Sequence, residues 1–486
     1  MTDPAAYSQA TMRAFQKSKN NAFFSVLALP ATAMGFALSV QISALSWILT
    51  TQYGLDIHDV GLVWAAGPLA GIIGQVLIGL ISDKAWFWGG RRRPFILIGG
   101  LLAAPMLLAL PHLDVISAGL GLGGILGVAI AVALSLDLAI NISFNPTRSI
   151  IADVTEPGDE RTRGYTWMQT ISGTFGVLAY AIGAVWDNYV LIYAGAVIVL
   201  LFSLVPTLLV EEPRELRADV PAAGTRASDD GQGESFLGVM KAIRPLWAFL
   251  AYDVYAMGRR IAGLEPDNYY AEIACAIATL VLVVQALLER NRGAGDGLAG
   301  FRKVIAAHSL SWIGIFTTLV LLIPYLQQAL PDLGDIALGR VGSMSYLVLN
   351  AVGALLPALV LMPLALRIGR VKTHAACLGI MAAGYVALWL GGDTPMQVYV
   401  LMAVLGVGWG AIVSLPFAIM SQTVQQSQMG LFMGLFNLSV VLPQLTVSLG
   451  VALFVSRAPD KGVIFLISAV AIALSTLAWS LVREED

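Results

Sequence analysis

The stretch SLDLAINISFNPTRSIIADV, residues 135–154, decides how the chain is read. It places a carboxylate, Asp137, inside an otherwise apolar segment that begins near Gly119. Asn141 follows one turn later, and Arg148 comes eleven residues after Asp137. At about 100° per residue all three fall on one face of a helix, with Arg148 roughly 16 Å further along the axis. A buried charge in lipid is expensive, so it normally faces a water-filled path or a partner.

The surroundings are membrane-like. Of 486 residues 57% are hydrophobic and 12% charged, against about 25% charged in a soluble domain. Repeated apolar runs of about 20 residues mark helices rather than a barrel, so the chain is an all-α membrane protein. The first residues are polar, with Arg13, Lys17 and Lys19, and the first apolar run is long enough to span, so no cleavable signal peptide is expected. Cys275 and Cys377 both sit in apolar runs, which speaks against a disulfide framework or a metal site. Neither a His/Cys/Asp cluster, a Ser–His–Asp arrangement nor a phosphate loop is visible. The expectation is a non-enzyme without cofactor or metal. A net charge of −3 and the lack of a basic tract leave no case for nucleic acid.

Six spans read at 22–48, 60–82, 94–112, 117–145, 164–186 and 189–209, and six more at 304–328, 341–366, 374–391, 396–418, 430–455 and 462–481. Between them EEPRELRADVPAAGTRASDDGQGES, residues 211–235, has no apolar period and reads as a linker. Six plus six around a linker is the layout of many secondary transporters. The chain therefore divides into a six-helix bundle at 1–210, a linker at 211–240, an insert at 241–300 and a second bundle at 301–486. With both termini in the cytoplasm, Lys84, Arg91, Arg92, Arg93, Arg161, Arg163, Arg367, Arg370 and Lys372 all fall inside. Few cations are left outside, as the positive-inside rule requires. A multi-pass protein of a cell membrane, and specifically a bacterial inner membrane, is expected.

The insert holds PLWAFLAYDVYAMGRRIAG (245–263) and YYAEIACAIATLVLVVQALLERN (269–291). Parity favours a two-helix hairpin crossing the membrane twice. The rival is an interfacial aromatic helix with a re-entrant one. Asp253 reads as a snorkelling or locally paired residue rather than a coupling site.

The loop GLISDKAWFWGGRRRPFI, residues 79–96, closes one span with Asp83 and sets Arg91, Arg92 and Arg93 before Pro94 opens the next. An acid facing clustered arginines can lock two helices in one state and release them in another; the arginines also hold the loop inside. PLALRIGRVK, residues 363–372, echoes the loop with Arg367, Gly369 and Arg370, which points to an internal repeat. Asp153 reads either as a gate partner for Arg91–Arg93 or as part of a solvated loop.

This loop resembles the signature of the major facilitator superfamily. Its longer spacing is similar to the sucrose-transporter branch, near the glycoside–pentoside–hexuronide:cation symporters. GFALSVQISAL (35–45), VWAAGPLAGIIGQVLIGLISD (63–83), LDLAINISFNPTRSIIADV (136–154) and HSLSWIGIF (308–316) resemble the first, second, fourth and seventh helices of that branch. The likeness covers nearly the whole first half and thins in the second, and the insert lies outside the usual pattern. Many relatives carry an acid near the outer end of the seventh helix, where this chain has LLIPYLQQ.

The resemblance implies a major-facilitator-type 6+6 bundle working as a functional monomer by alternating access. It also implies symport of H⁺ with a disaccharide or glucoside of the sucrose or maltose kind. Asp137 would bind the proton and the sugar hydroxyls, and Arg148 would tune it. The alternative for that pair is mere stabilisation of the bundle. Burial disfavours the charged form of a carboxyl group, and a single carboxylate with few nearby acids points to H⁺ rather than Na⁺. Groups fit for a sugar are Gln41, Asn141, Gln169, Trp312, Tyr325, Asn350, Asn437 and Gln444, with Trp47, Gln75, Trp167, Tyr346 and Trp409 as further candidates. Amides in lipid also hold helices together, so only part of this set is expected at the cavity. His308 reads as a helix-end residue rather than a proton carrier. A proton-coupled exporter of drugs or metabolites from the same superfamily is the alternative function.

Overall fold

The computed structural model describes residues 14–71, 86–156, 159–213, 236–264, 268–289, 297–420, 423 and 429–482. Those residues form helices, with no strand among them. Twelve helices among the described residues are long and apolar enough to cross a membrane.

The first half comprises α1 (Asn21–Thr51), α2 (Ile57–Trp64), α3 (Arg93–Ala109), α4 (Leu126–Val154), α5 (Asp159–Val185) and α6 (Asn188–Leu209). Capping side chains mark where helices begin. Asn20 accepts from Phe23 N at 3.0 Å, Asp56 from Asp59 N at 2.8 Å and Asp187 from Val190 N at 2.8 Å. Each satisfies one of the N–H groups that a helix start leaves unpaired. α3 lies between α4 and α6. There Gly99 faces Ser143 and Gly100 faces Ser203 so closely that no Cβ would fit. Small residues of this kind let spans approach where apolar burial against lipid gives no drive.

The insert follows as α7 (Trp247–Ile261) and α8 (Tyr270–Leu288). The second half is α9 (Gly297–Ala329), α10 (Asp335–Leu356), α11 (Arg370–Gly391), α12 (Pro395–Met420), α13 (Met429–Thr446), α14 (Ala452–Arg457) and α15 (Val463–Ser480). A π-turn over Val447–Val451 joins α13 to α14 as one bent span. The second half repeats the pairings of the first: α1 packs on α5 and α6 as α9 packs on α13 and α15, and α3 packs on α4 and α6 as α11 packs on α12 and α15. The halves meet mainly where α5 lies along α10.

The linker face is the end of the bundle carrying residues 86–92 and 210–213, and the distal face is the opposite end. The insert packs on the second half, α7 against α13 and α8 against α9. At the linker face Glu289 pairs with Arg302 at 2.6 Å and Arg244 at 3.6 Å. At the distal face Tyr269 meets the Phe454 ring at 5.6 Å and the Arg457 guanidinium at 5.7 Å. α8 is one of the twelve membrane-length helices, and α7, at 15 residues, is not.

Several boundaries differ from the sequence reading: the third span runs on to Gly119 and the seventh begins at Gly297 rather than 304. The fourth span runs over Leu126–Val154 rather than 117–145. The glycines at 119, 121, 123 and 124 break the chain ahead of it, and Gly121 takes φ 66°, where glycine carries no Cβ penalty. The eighth span begins at Asp335, not 341, and continues through a π-turn at Pro357–Leu361 into a helix that ends before Gly369, at φ 93°.

Candidate functional site

Asp137 sits about 16 Å into α4, by helical rise, and its side chain is closed in by α1 and α2. Gln41 of α1 donates through Nε2 to Asp137 Oδ2 at 3.0 Å. Both residues are buried, 3% and 5% exposed. Asn141, one turn on, donates through Nδ2 to the Asp137 backbone carbonyl at 2.8 Å. Gly67, in the helical segment that continues α2, faces the carboxyl: a Cβ there would stand 3.3 Å from Asp137 Oδ2. No salt bridge to Asp137 occurs among the described residues. A carboxyl group with one amide donor and no cation is best accommodated neutral, because an unpaired buried charge is costly.

Arg148 does not reach it. Its guanidinium lies over the Phe144 ring at 4.3 Å, the residue is exposed, and its backbone carbonyl accepts from Tyr165 Oη at 3.2 Å.

On the second half, an aromatic chain crosses α9, α10, α12 and α13. Trp312 Nε1 donates to His308 Nε2 at 2.9 Å, and the His308 ring stacks on Phe436 at 4.7 Å. Trp312 meets Trp409 edge-on at 6.2 Å. Trp409 Nε1 donates to Asn350 Oδ1 at 3.1 Å, and Asn350 donates back to Tyr346 O at 2.9 Å. Tyr346 in turn faces Tyr180 of the first half at 5.9 Å. Half-buried indoles held by polar neighbours offer flat apolar faces beside hydrogen-bonding groups.

Other candidates lie elsewhere. Tyr325 spends its hydroxyl on Gly392 O at 2.9 Å and packs on Phe465 at 4.6 Å, in the distal part of the second half. Gln169 is exposed on α5, and Asn437 and Gln444 are half-buried on α13. None of these three has a described hydrogen bond to the Asp137 group. Gln75 and Asp83 lie outside the described residues.

At the linker face Arg92 and Asp153 form a buried pair, Nε to Oδ2 at 3.2 Å. Arg93 donates to the Thr207 and Gly89 carbonyls. Glu212 organises this corner: its carboxylate accepts from the backbone N–H groups of Arg91 at 2.8 Å, Arg92 at 2.8 Å and Arg93 at 2.6 Å. A carboxylate there satisfies the orphan donors at the start of α3 and meets the positive end of its dipole. Arg367 is exposed on the other half. The sequence offered a signal for Glu212 only in its position, three residues past the last helix of the half and ahead of Pro213, where it read as linker.

Hydrogen bonds between the halves gather toward the distal face. Ser43 donates to Ser343 Oγ at 2.6 Å, and Ser343 donates to Asn188 Oδ1 at 2.8 Å. Ser46 donates to Val320 O at 2.8 Å and Trp47 Nε1 to Asp335 O at 2.7 Å. Arg340 Nε donates to Trp186 O. The sequence reading missed Ser43, Asn188 and Ser343, since small polar residues carry no periodic signal.

A model of the Major Facilitator Superfamily matches residues 27–445. The chain belongs to the major facilitator superfamily. Among curated proteins, this facilitator is similar to sucrose transport protein SUC4 of Arabidopsis thaliana, 24% identical with 86% of this chain and 81% of that protein covered. It is also similar to sucrose transport protein SUT3 of Oryza sativa subsp. japonica, 23% identical with 90% and 87% covered. A general alpha-glucoside permease of Schizosaccharomyces pombe is 28% identical over 32% of this chain and 31% of its own length. Solved structures sharing the fold include the nucleoside transporter NupG, with a TM-score of 0.62, 13% identity and coverage of 95% and 100%. A peptide transporter POT in complex with sulfate gives a TM-score of 0.64, 15% identity and coverage of 99% and 98%. The facilitator is a membrane transporter, not an enzyme.

Proposed function

We propose that this facilitator carries a disaccharide or glucoside, of the sucrose or maltose kind, together with H⁺ by alternating access of its two halves. The observation that carries the reading is the Asp137–Gln41 pair, a carboxyl group buried mid-helix with an amide as its side-chain donor at 3.0 Å. A group so placed exchanges a proton at low cost only when sugar or water reaches it. Sucrose transport proteins of two plants, similar over most of their length, support the substrate class.

In this reading Asp137, Gln41 and Asn141 take sugar hydroxyls from the first half. Trp312, Trp409 and Asn350 present an aromatic wall with an amide from the second. Gln169, Tyr325, Asn437 and Gln444 make subsidiary contacts as the cavity reshapes. Arg148 lies toward the linker face and acts on Asp137 only when α4 moves relative to its neighbours. The linker face is cytoplasmic, where the arginines concentrate, and the protein acts as a monomer in a bacterial inner membrane. Arg91, Arg92, Arg93, Asp153, Asp83, Arg367 and Arg370 form the cytoplasmic gate. The distal contacts belong to the state closed on the outer side. The insert at 241–300 crosses the membrane twice.

Uptake of a small sugar panel into proteoliposomes with an imposed pH gradient tests this. Wild type is expected to concentrate one or more disaccharides, and Asp137→Asn to lose concentrative uptake while retaining sugar exchange. Full concentrative uptake by Asp137→Asn would remove the coupling role. Transport of amphiphiles instead of sugars would favour an exporter.

A further inference from the structure

A second buried carboxyl group lies in the insert, at Asp253, which the sequence suggested as a snorkelling or locally paired residue. Asp253 of α7 is 3% exposed. Its Oδ1 accepts from Thr446 Oγ1 of α13 at 2.7 Å, and its Oδ2 is buried without a hydrogen-bond partner. A cation nearby is already engaged: Arg259 stands 4.0 Å from Glu272 and stacks on the Tyr255 ring at 5.4 Å. Glu272 in turn accepts from Tyr252 Oη at 3.0 Å. From α8, Glu272 and Cys275 are the titratable groups on this side; from α13 the facing polar group is Thr446. A single hydroxyl is a poor counterpart for a full buried charge. The 2.7 Å contact also serves a neutral carboxyl, with its O–H donating to Thr446 Oγ1.

Two further features surround this group. One turn beyond Asp253, a cavity of about 20 Å³ is lined by Ala256, Arg259, Arg260, His58, Leu62 and Leu449 toward the distal side. That is room for about one water molecule, and it joins the insert to α2 and to the π-turn. The π-turn itself is held from both sides. A Cβ on Gly61 of α2 would fall 2.5 Å from Ser448 O, and a Cβ on Gly450 would fall 2.5 Å from Tyr252 Oη of the insert. π-turns within helices concentrate at functional bends.

We propose that Asp253 is a second proton-binding site, in the insert, whose neutral form docks the hairpin onto the π-turn of the α13–α14 span. The proton resides on the Asp253 carboxyl. When it leaves, the carboxylate requires water, and the hairpin separates from Thr446 and Gly450. The bent span that packs on α2 across the seam of the halves is then free to move. The site is separate from Asp137 and does not depend on what Asp137 does.

Infrared spectroscopy of the full chain in lipid vesicles, titrated with pH, tests this through the carbonyl absorption of protonated carboxyl groups. Wild type is expected to show a titrating band of which one component disappears in Asp253→Asn and persists in Asp137→Asn. Thr446→Val keeps the carboxyl and removes its partner, so it is expected to shift the frequency of that component. Gly450→Ala, which forces Tyr252 off the π-turn, is expected to move the midpoint of the component by more than tenfold in proton concentration. An Asp253→Asn spectrum superimposable on wild type would overturn the proposal, as would a lost component that never titrates. A midpoint unmoved in Gly450→Ala would overturn the docking. Retained concentrative uptake in Asp137→Asn would sink the symport reading and leave this band where it is.

Discussion

Gly183→Ala is the sharpest test of how the halves close. Gly183 lies on α5 at the seam, and a Cβ added there would stand 2.5 Å from Ser343 Oγ, 2.9 Å from Asn188 Oδ1 and 3.0 Å from Ser343 Cβ. Ordinary contact begins at 3.4 Å, so the two halves must part by up to 0.9 Å, the difference between 3.4 and 2.5 Å. The backbone cannot yield easily, because Ser343 and Asn188 are both fully buried and tied to Ser43. Overpacking of this kind costs about 1–3 kcal/mol. In the alternating access proposed above only the distally closed state bears that cost, since opening would separate α5 from α10. At about 1.4 kcal/mol per tenfold, the population should shift roughly 5- to 150-fold toward distal opening. Spin labels at Asp114 and Asp332, exposed on the distal loops of the two halves, would report it as a longer distance population. Adding Ser343→Gly to Gly183→Ala removes the opposing Cβ and Oγ and should recover most of the wild-type distribution. A Gly183→Ala distance distribution identical to wild type would refute the reasoning. It would show that the seam yields without cost, or that the halves do not separate there.

Other perturbations bear on the linker face and the distal loops. Weakening the Arg92–Asp153 pair by Asp153→Asn removes the negative charge facing a buried guanidinium and should lower stability by less than the about 3–5 kcal/mol of a fully uncompensated buried charge. Arg92→Met with Asp153→Leu should cost less than either single change, measured by thermal unfolding in detergent. Glu212→Ala removes the acceptor shared by three N–H groups at the start of α3 and should lower stability by about 1–2 kcal/mol, while Glu212→Gln should lie between. Tyr53, in the loop between α1 and α2, has its pKa pushed up to about 12 by burial. Its hydroxyl donates to Leu110 O at 2.8 Å and accepts from Leu113 N at 2.9 Å. The neutral phenol is the form the fold favours, so its contribution is intact below the ordinary tyrosine value of about 10. The contribution is lost as pH rises from there to about 12. Tyr53→Phe should remove that part of the alkaline loss of stability.

Much of the fold was legible because lipid is an undemanding reader. A helix must satisfy its own backbone there, so apolar length alone marks the spans, and clustered arginines mark one face. Asp137 stood out for the same reason; for Asp153 the sequence left a gate partner and a solvated loop both open, and the structure pairs it with Arg92 at 3.2 Å. The fourth span was misplaced because Leu120 to Gly124 are as apolar as a helix yet too permissive to form one. Arg148 shares a helix face with Asp137 but points its guanidinium at Phe144, which periodicity does not reveal.

The sequence by itself determined the membrane class, the six-plus-six order of spans and the presence of a mid-span carboxyl group at Asp137. Each of these follows from local composition and from the energy of moving single side chains into lipid. The partners were decided by the tertiary structure alone. Gln41 reaches Asp137 across 96 positions, Ser43 reaches Ser343 across 300, and Asp253 of the insert finds Thr446 across 193. Such pairs depend on which helices lie side by side and how closely glycines let them approach, and no periodicity within one helix encodes that.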